Sequence, residues 1–242
     1  MFQPFDKTML GAASLLALVM APPLAAQDAA PAPVAEAPAQ APAAADAAPS
    51  AASAQTPAPM PIPASKTTTP DAGAYAFDPA HSQAVFTYDH MGFSTSRGFV
   101  NGIEGTITLD PADPAKSSVE ASFPLSALQT LDAGLDKLVM GPDFFNVTGD
   151  APLVTFKSTS VEPDGDDEAR VTGDLTLNGI TRPVVLEVEF NGAGLDPITQ
   201  VPTIGFSIEA ELKRSDFNLG GFSPAVEDEV EIDIEIEAKK QS

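Results

Sequence analysis

Few side chains in this sequence are of a type that performs covalent chemistry, and their spacing is poor for it. There are two histidines, His81 and His90, and no cysteine. Lack of cysteine removes disulfides, thiolate metal sites, iron–sulfur clusters, thiol nucleophiles and an acylated lipoprotein cysteine. The histidines form neither an HExxH pair nor part of a dense ligand cluster. Ser82 follows His81 directly, and adjacent residues in a strand or turn point apart, which makes a poor nucleophile–base couple. No Gly-x-Ser-x-Gly elbow, P-loop or Gly-x-Gly-x-x-Gly turn occurs. Asp164, Asp166 and Asp167 offer oxygen ligands without the EF-hand spacing. Arg214 and Asp216 read as a structural ion pair or loop clasp, and His81 as the tie of its Asp-Pro-Ala-His-Ser turn. No catalytic residue and no metal site is expected. His90 and Met91 differ from these, because they end an apolar run at a Gly-containing bend. There a polar group meets either a ligand's head or a structural hydrogen-bond partner.

The elements that must position these residues alternate with period two. In Val230-Glu231-Ile232-Asp233-Ile234-Glu235-Ile236-Glu237 every second residue is an aliphatic and the rest are acidic. Successive side chains of a strand point to opposite faces, so this strand has one dry and one wet face. Ala84, Phe86, Tyr88 and His90 share a face in the same way, as do Val119, Ala121, Phe123 and Leu125. Two further sets are Ile204, Phe206, Ile208 and Ala210, and Leu186, Val188 and Phe190. Residues 98 to 109 hold one or two more strands, and residues 152 to 160 another. Asp110-Pro111, Pro163-Asp164-Gly165, Asn178-Gly179 and Asn191-Gly192 are turn or hairpin signals between them. Only residues 126 to 146 approach helical spacing, as one or two short helices across an opening or edge. About eight antiparallel strands must close or stack, because open edges aggregate. The choices are a barrel and a two-sheet sandwich.

Composition divides the chain. Thirteen prolines lie before residue 71, whereas twelve of the fourteen Phe lie after residue 73. Residues 1–26 read as a secretory signal: Lys7 precedes an uncharged apolar run at residues 9 to 21, and Ala25 and Ala26 suit cleavage. That run is shorter than the roughly 20 residues that cross a bilayer as a helix. Residues 27–73 are Ala- and Pro-rich, without the aromatics needed to order them, and are expected to be a disordered linker. Residues 74–242 form the expected folded domain. The net charge of -22 argues against nucleic acid and against electrostatic docking on anionic lipid.

Five motifs, in order, carry a resemblance. They are Tyr75-x-x-Asp78-Pro79-x-His81-Ser82; Phe86-x-x-x-His90-Met91-Gly92-Phe93-Ser94; Asp143-Phe144-Phe145 with Pro152-x-x-x-Phe156-x-Ser158; Val171-x-Gly173-x-Leu175-Thr176-x-x-Gly179-Ile180; and Arg214-x-Asp216-Phe217 with Asp228-Glu229-Val230. Together they resemble the YceI-like family over residues 75 to 238. The resemblance implies an all-β, antiparallel, eight-stranded lipocalin-like barrel. It also implies an extracytoplasmic location and a long apolar cavity for a polyisoprenoid, an isoprenoid quinone or a similar amphiphile. The Arg-Asp-x-His-Leu run common in that family is here Leu135-Asp136-Lys137-Leu138-Val139, without its Arg and His. Asn218 and Glu227 stand where Gly is usual.

The expected protein is therefore a periplasmic binding or transport protein for a long-chain amphiphile. It has no cofactor beyond a bound isoprenoid lipid or quinone, and no stable membrane insertion after signal cleavage; a homodimer is one expected assembly. The expected ligand-binding residues are Phe86, Tyr88, His90, Met91, Phe93, Phe99, Phe123, Phe144, Phe145, Phe156, Phe190 and Phe206. Each Phe taken alone fits ordinary core packing equally well. The alternative is a filled β-domain that acts as a tethered interaction module.

Overall fold

The computed structural model describes residues 69–242; the expected signal segment and most of the expected linker lie outside the described residues. The period-two segments form eleven strands and one short helix. In chain order these are β1 (Gly73–Phe77), β2 (Gln83–His90), β3 (Ser94–Asn101), β4 (Glu104–Leu109), β5 (Ser118–Pro124), β6 (Leu128–Thr130) and α1 (Ala133–Met140). They continue as β7 (Leu153–Asp164), β8 (Glu168–Leu177), β9 (Ile180–Leu195), β10 (Pro202–Lys213) and β11 (Glu229–Lys240). All pairings are antiparallel, and β1, β4, β5, β7, β8, β9, β10 and β11 close a ring of eight through the contact of β11 with β1. The protein is thus a closed eight-stranded barrel, which leaves no long sheet edge to aggregate.

β11 sets the geometry of this closure. β10 holds one of its edges from Glu229 to Lys239. The other edge is divided: Ala238 to Lys240 pair with β1, and Glu231 to Glu235 pair with β2. Strands β3 and β6 extend the β2 side, and β6 follows β5 through the single 3-10 turn Leu125–Ala127. The barrel wall is therefore completed by β1 and β4 at one end and by β2, β3 and β6 at the other. We call the latter the α1 end, because α1 follows β6, and the former the β7–β8 end, after the hairpin that lies there. Tyr75, Phe77, Ala84, Val100, Ile103, Ile107, Ile204, Ile236 and Ala238 pack where the two arrangements meet.

One expected turn changes. Asn178-Gly179 makes the expected tight turn, with φ of 53° and 71° and Leu177 paired to Ile180, as a type I′ hairpin requires. Asn191-Gly192 does not turn the chain: β9 runs on to Leu195, and the register with β10 shifts at Gly205/Phe206. Only Gly192 has a positive φ there, so the glycine serves a bulge in a long strand instead of a reversal. The helical stretch yields one helix, capped by the Asp132 carboxylate accepting from the Gly134 and Leu135 amides. Finally, strand structure begins at Gly73, and the Tyr75 hydroxyl donates to the Asp71 carbonyl, so the folded part reaches slightly upstream of residue 74.

Candidate functional site

Inside the barrel lies a cavity of about 1020 Å³, partly open to solvent, with predominantly apolar walls. Its existence is not implied by an apolar strand face, because an eight-stranded barrel is also narrow enough to be filled by its own side chains. Charged groups border it only at the ends: Asp166, Asp167 and Glu168 at the β7–β8 end, and Lys213 and Arg214, beside His90, at the α1 end. Ile232, Ile234 and Ile236 of β11, Leu186 and Val188 of β9, and Val119 and Ala121 of β5 supply the aliphatic wall.

Two glycines explain why so many phenylalanines leave the middle open. Gly98 of β3 is paired with Phe86 of β2, and a β-carbon on Gly98 would collide with the Phe86 ring. A β-carbon on Gly173 of β8 would collide in the same way with the ring of Phe156 on β7. In each case a ring lies flat over a strand glycine, against the wall, instead of projecting across the interior. Glycine inside a strand weakens it and marks the close approach of another group; here that group is an aromatic ring lining the cavity.

Of the twelve residues expected at the site, ten border the cavity. Phe86, Tyr88 and His90 do so from alternate positions of β2, with Met91 just beyond. Phe123, Phe156, Phe190 and Phe206 line it from β5, β7, β9 and β10, and Phe144 and Phe145 from the segment after α1. Phe190 and Phe206 face each other across the β9–β10 ladder with ring centroids 5.4 Å apart. Phe86 and Tyr88 stack at 6.4 Å. Phe93 and Phe99 are corrected. Phe93 is 86% exposed beside the β2–β3 turn, since its amide, not its ring, anchors the turn by donating to the His90 carbonyl. Phe99 takes the opposite face from its neighbours Gly98 and Val100, which point inward, and strand parity turns its ring outward. The wall residues that residue type did not single out are the aliphatics of α1, Leu135, Leu138 and Val139.

Polar groups gather at the α1 end. Among the described residues, neither the Tyr88 hydroxyl nor the His90 imidazole has a hydrogen-bond partner. Both are half-buried and border the cavity. Of the two readings given for Arg214 the structure shows the loop clasp, without an ion pair to Asp216. Its Nε donates to the Glu227 carbonyl (2.8 Å), its Nη1 to those of Leu219 (2.6 Å) and Gly221 (3.2 Å), and its Nη2 to that of Val226 (2.9 Å). Residues two apart in the 3-10 turn Arg214–Phe217 point in different directions, so Asp216 lies out of reach. The guanidinium folds the 218–227 loop around itself, and burial lowers its pKa. It has five N–H donors, so four such bonds leave one, on Nη2. Asn218, in the left-handed region at φ 58°, makes the bend that opens this loop, a conformation Asn tolerates better than most residues.

His81 ties its turn as expected: Nδ1 lies 2.9 Å from Asp78 Oδ2, and Lys239 Nζ lies 2.7 Å from the same oxygen. The hydrogen bond from Lys239 and then that from His81 hold the Asp78 carboxyl down at about 2, and Asp78 raises the His81 pKa. Asp78, His81 and Glu237 bring possible ligand atoms within 4.8 Å of one another. The Lys239 ammonium supplies the positive charge there. Asp164, Asp166 and Asp167 form no such grouping among the described residues, and no described helix is long and apolar enough to cross a membrane.

Comparison with known proteins agrees with this architecture. The family model for the YceI-like domain matches residues 75–238. Protein YceI of Escherichia coli O157:H7 is 38% identical over 161 residues, covering 66% of this chain and 83% of that protein. Protein YceI of Salmonella arizonae is 36% identical over the same length. Among solved structures, Burkholderia cenocepacia BcnA superposes with a TM-score of 0.59 at 26% identity, covering 66% of this chain and 98% of that one. The Campylobacter jejuni YCEI protein superposes with a TM-score of 0.56 at 25% identity, covering 64% and 90%. With its motifs, its barrel and its relatives in agreement, this chain belongs to the YceI-like family.

Proposed function

We propose that this protein binds one long-chain amphiphile, of the polyisoprenoid or isoprenoid-quinone class, in its barrel and carries or sequesters it in the periplasm. The observation that carries the reading is the hollow interior. A cavity of about 1020 Å³ stands at the upper end of the ~300–1,000 Å³ range of small-molecule sites. Its charged groups are confined to its two ends. A hydrocarbon chain needs apolar wall and little else. Burial of some ~400 Å² of it at ~25 cal/mol per Å² stabilises the complex by roughly 10 kcal/mol before the cost of ordering the chain. The flat-lying Phe86 and Phe156 rings add contact area without blocking the path.

The ligand's head sits at the α1 end in this reading. The unpartnered Tyr88 hydroxyl and His90 imidazole, with the remaining Arg214 N–H, are donors suited to a carbonyl or hydroxyl oxygen. These groups stand in for the Arg and His that the α1 segment lacks. The role is binding, with no bond made or broken. The periplasmic assignment rests on the signal-like residues 1–26, and cell fractionation tests it separately.

Native mass spectrometry of the purified full chain, with organic extraction of the same sample, tests the function. A co-purifying prenyl lipid in about one-to-one ratio is the expected outcome. Protein that is empty as purified, and stays empty after incubation with a polyprenol or an isoprenoid quinone, refutes it.

A further inference from the structure

The two ends of the cavity differ in what surrounds their openings. At the α1 end, large apolar side chains stand in solvent around the rim. Phe93 is 86% exposed, Met91 53% and Phe222 54%, and Leu138 on α1 is exposed as well. Met91, Leu138 and Phe222 also border the cavity, so this apolar surface is continuous with the binding wall. The rim holds its shape: Phe222 stacks on Phe144 at 5.3 Å, the Met91 amide donates to the Ala225 carbonyl, and the Asp89 carboxylate accepts from the Gly92 amide. At the β7–β8 end the cavity is bordered instead by Asp166, Asp167 and Glu168.

The cations divide the same way. Among the described residues, Lys116, Lys157, Arg170, Lys239 and Lys240 are all paired with carboxylates. They lie on the barrel wall and toward the β7–β8 end. Among the described residues Arg97, Lys137, Arg182, Lys213 and Arg214 have no carboxylate in ion-pair contact; Arg182 and Arg214 bond to backbone carbonyls, and Arg97, Lys137 and Lys213 lie at the α1 end, on β3 beside β6, on α1 and at the end of β10. The net charge of -22 opposes attraction to anionic lipid at long range. At physiological salt, however, charges beyond about 8 Å are largely screened, and close contact is decided by the groups on the surface that touches.

We infer that the α1 end docks on the interface of a phospholipid bilayer, with Phe93, Met91, Leu138 and Phe222 entering the headgroup layer and Arg97, Lys137 and Lys213 facing lipid phosphates. The inference rests on the carrier reading above. A ligand that buries several hundred Å² of hydrocarbon has almost no aqueous concentration, so rapid exchange requires an apolar passage from bilayer to cavity. The rim provides one; Arg97, Lys137 and Lys213 are the groups there able to meet lipid phosphates, among the carboxylates of Asp89, Asp132, Asp143 and Glu227 at the same end. The contact is peripheral and reversible.

Rates of transfer from vesicles of phosphatidylethanolamine and phosphatidylglycerol carrying a fluorescent polyprenol test this, alongside vesicle co-sedimentation. Phe93→Asp alters a residue outside the cavity wall, so its uptake of the same probe from detergent solution stays at the parent level. Its transfer from vesicles falls about tenfold, the expected consequence of losing one membrane-inserted aromatic. Lys137→Glu slows transfer as well, and added salt weakens the parent's binding to vesicles. Ile198→Asp alters an equally exposed apolar residue, 76% accessible, in the β9–β10 turn at the other end, and transfers like the parent. Parent-like transfer by Phe93→Asp overturns the inference, as does an equal loss in Ile198→Asp. So does a parent that never co-sediments while a cross-linker at residue 93 captures a protein. Failure of the parent to take up the probe from detergent removes the carrier reading instead. Phe93-dependent vesicle binding in that case still upholds the docking face.

Discussion

The same strands build both ends of the barrel, yet the ends are closed by different physics. At the α1 end one half-buried guanidinium, Arg214, gathers four backbone carbonyls of the 218–227 loop, and Tyr88 and His90, unpartnered among the described residues, border the cavity. Toward the β7–β8 end, side-chain ion pairs fasten the structure: Lys239 with Asp78 and Asp196, and Lys240 with Asp71. A carbonyl clasp keeps its charge without spending a carboxylate, and the rim beside it exposes Met91, Phe93, Leu138 and Phe222. Ion pairs consume their cations and leave an acidic surface. The difference teaches that this barrel is polarised: its two ends are fastened by different groups and present different surfaces.

Four experiments break or sharpen that contrast, the largest expected effect first. Arg214→Ala leaves carbonyls of the α1-end loop unpaired and should cost roughly 2–4 kcal/mol of stability in urea titrations. A loss no greater than that of Lys240→Ala would mean that the loop is held by other contacts. Gly98→Val and Gly173→Val force the Phe86 and Phe156 rings off the wall, with an expected cost of ~1–3 kcal/mol. They should also reduce prenyl-lipid uptake, because the displaced ring occupies the cavity. Unchanged uptake in both variants would deny the glycines their role. Tyr88→Phe should weaken binding of an isoprenoid quinone by roughly 0.5–1.5 kcal/mol and leave binding of a headless prenyl hydrocarbon unaltered. Equal effects on both ligands would place the head elsewhere.

The smallest effect belongs to the ion-paired end. Asp78, lowered to about 2, stabilises the fold above its ordinary carboxylate range. That contribution is lost as pH falls from about 4 through about 2. His81, whose pKa is raised by Asp78, stabilises below about 6.5 and loses its contribution as pH rises through its folded-state value. Thermal melts should therefore show Asp78→Asn converging on the parent near pH 2 and differing from it by less than about 1 kcal/mol near pH 5. A gap that persists at pH 2 would assign the difference to something other than these charges.

Strand faces, the Asn178-Gly179 turn and the apolar side of β2 were legible in the residues, because alternation and turn chemistry are local properties. The closed ring was reachable from the number of strands and from the motif series. Parity misled for Phe99, where a single aromatic was chosen by type without fixing which face its strand presents. Asn191-Gly192 misled because a bulge and a hairpin draw on the same residues, and only the neighbouring register separates them. For Arg214 the residues left an ion pair with Asp216 and a loop clasp open, and only the fold shows that its partners are carbonyls of the loop that follows.

By itself, then, the sequence determined which strand faces are dry and which are wet, and that the strands must either close on themselves or stack in two sheets. Tertiary structure alone decided that the dry faces enclose a space. Hollowness depends on which glycine lies beneath which ring across neighbouring strands, Gly98 under Phe86 and Gly173 under Phe156. Those pairings are long-range geometry that no local pattern encodes.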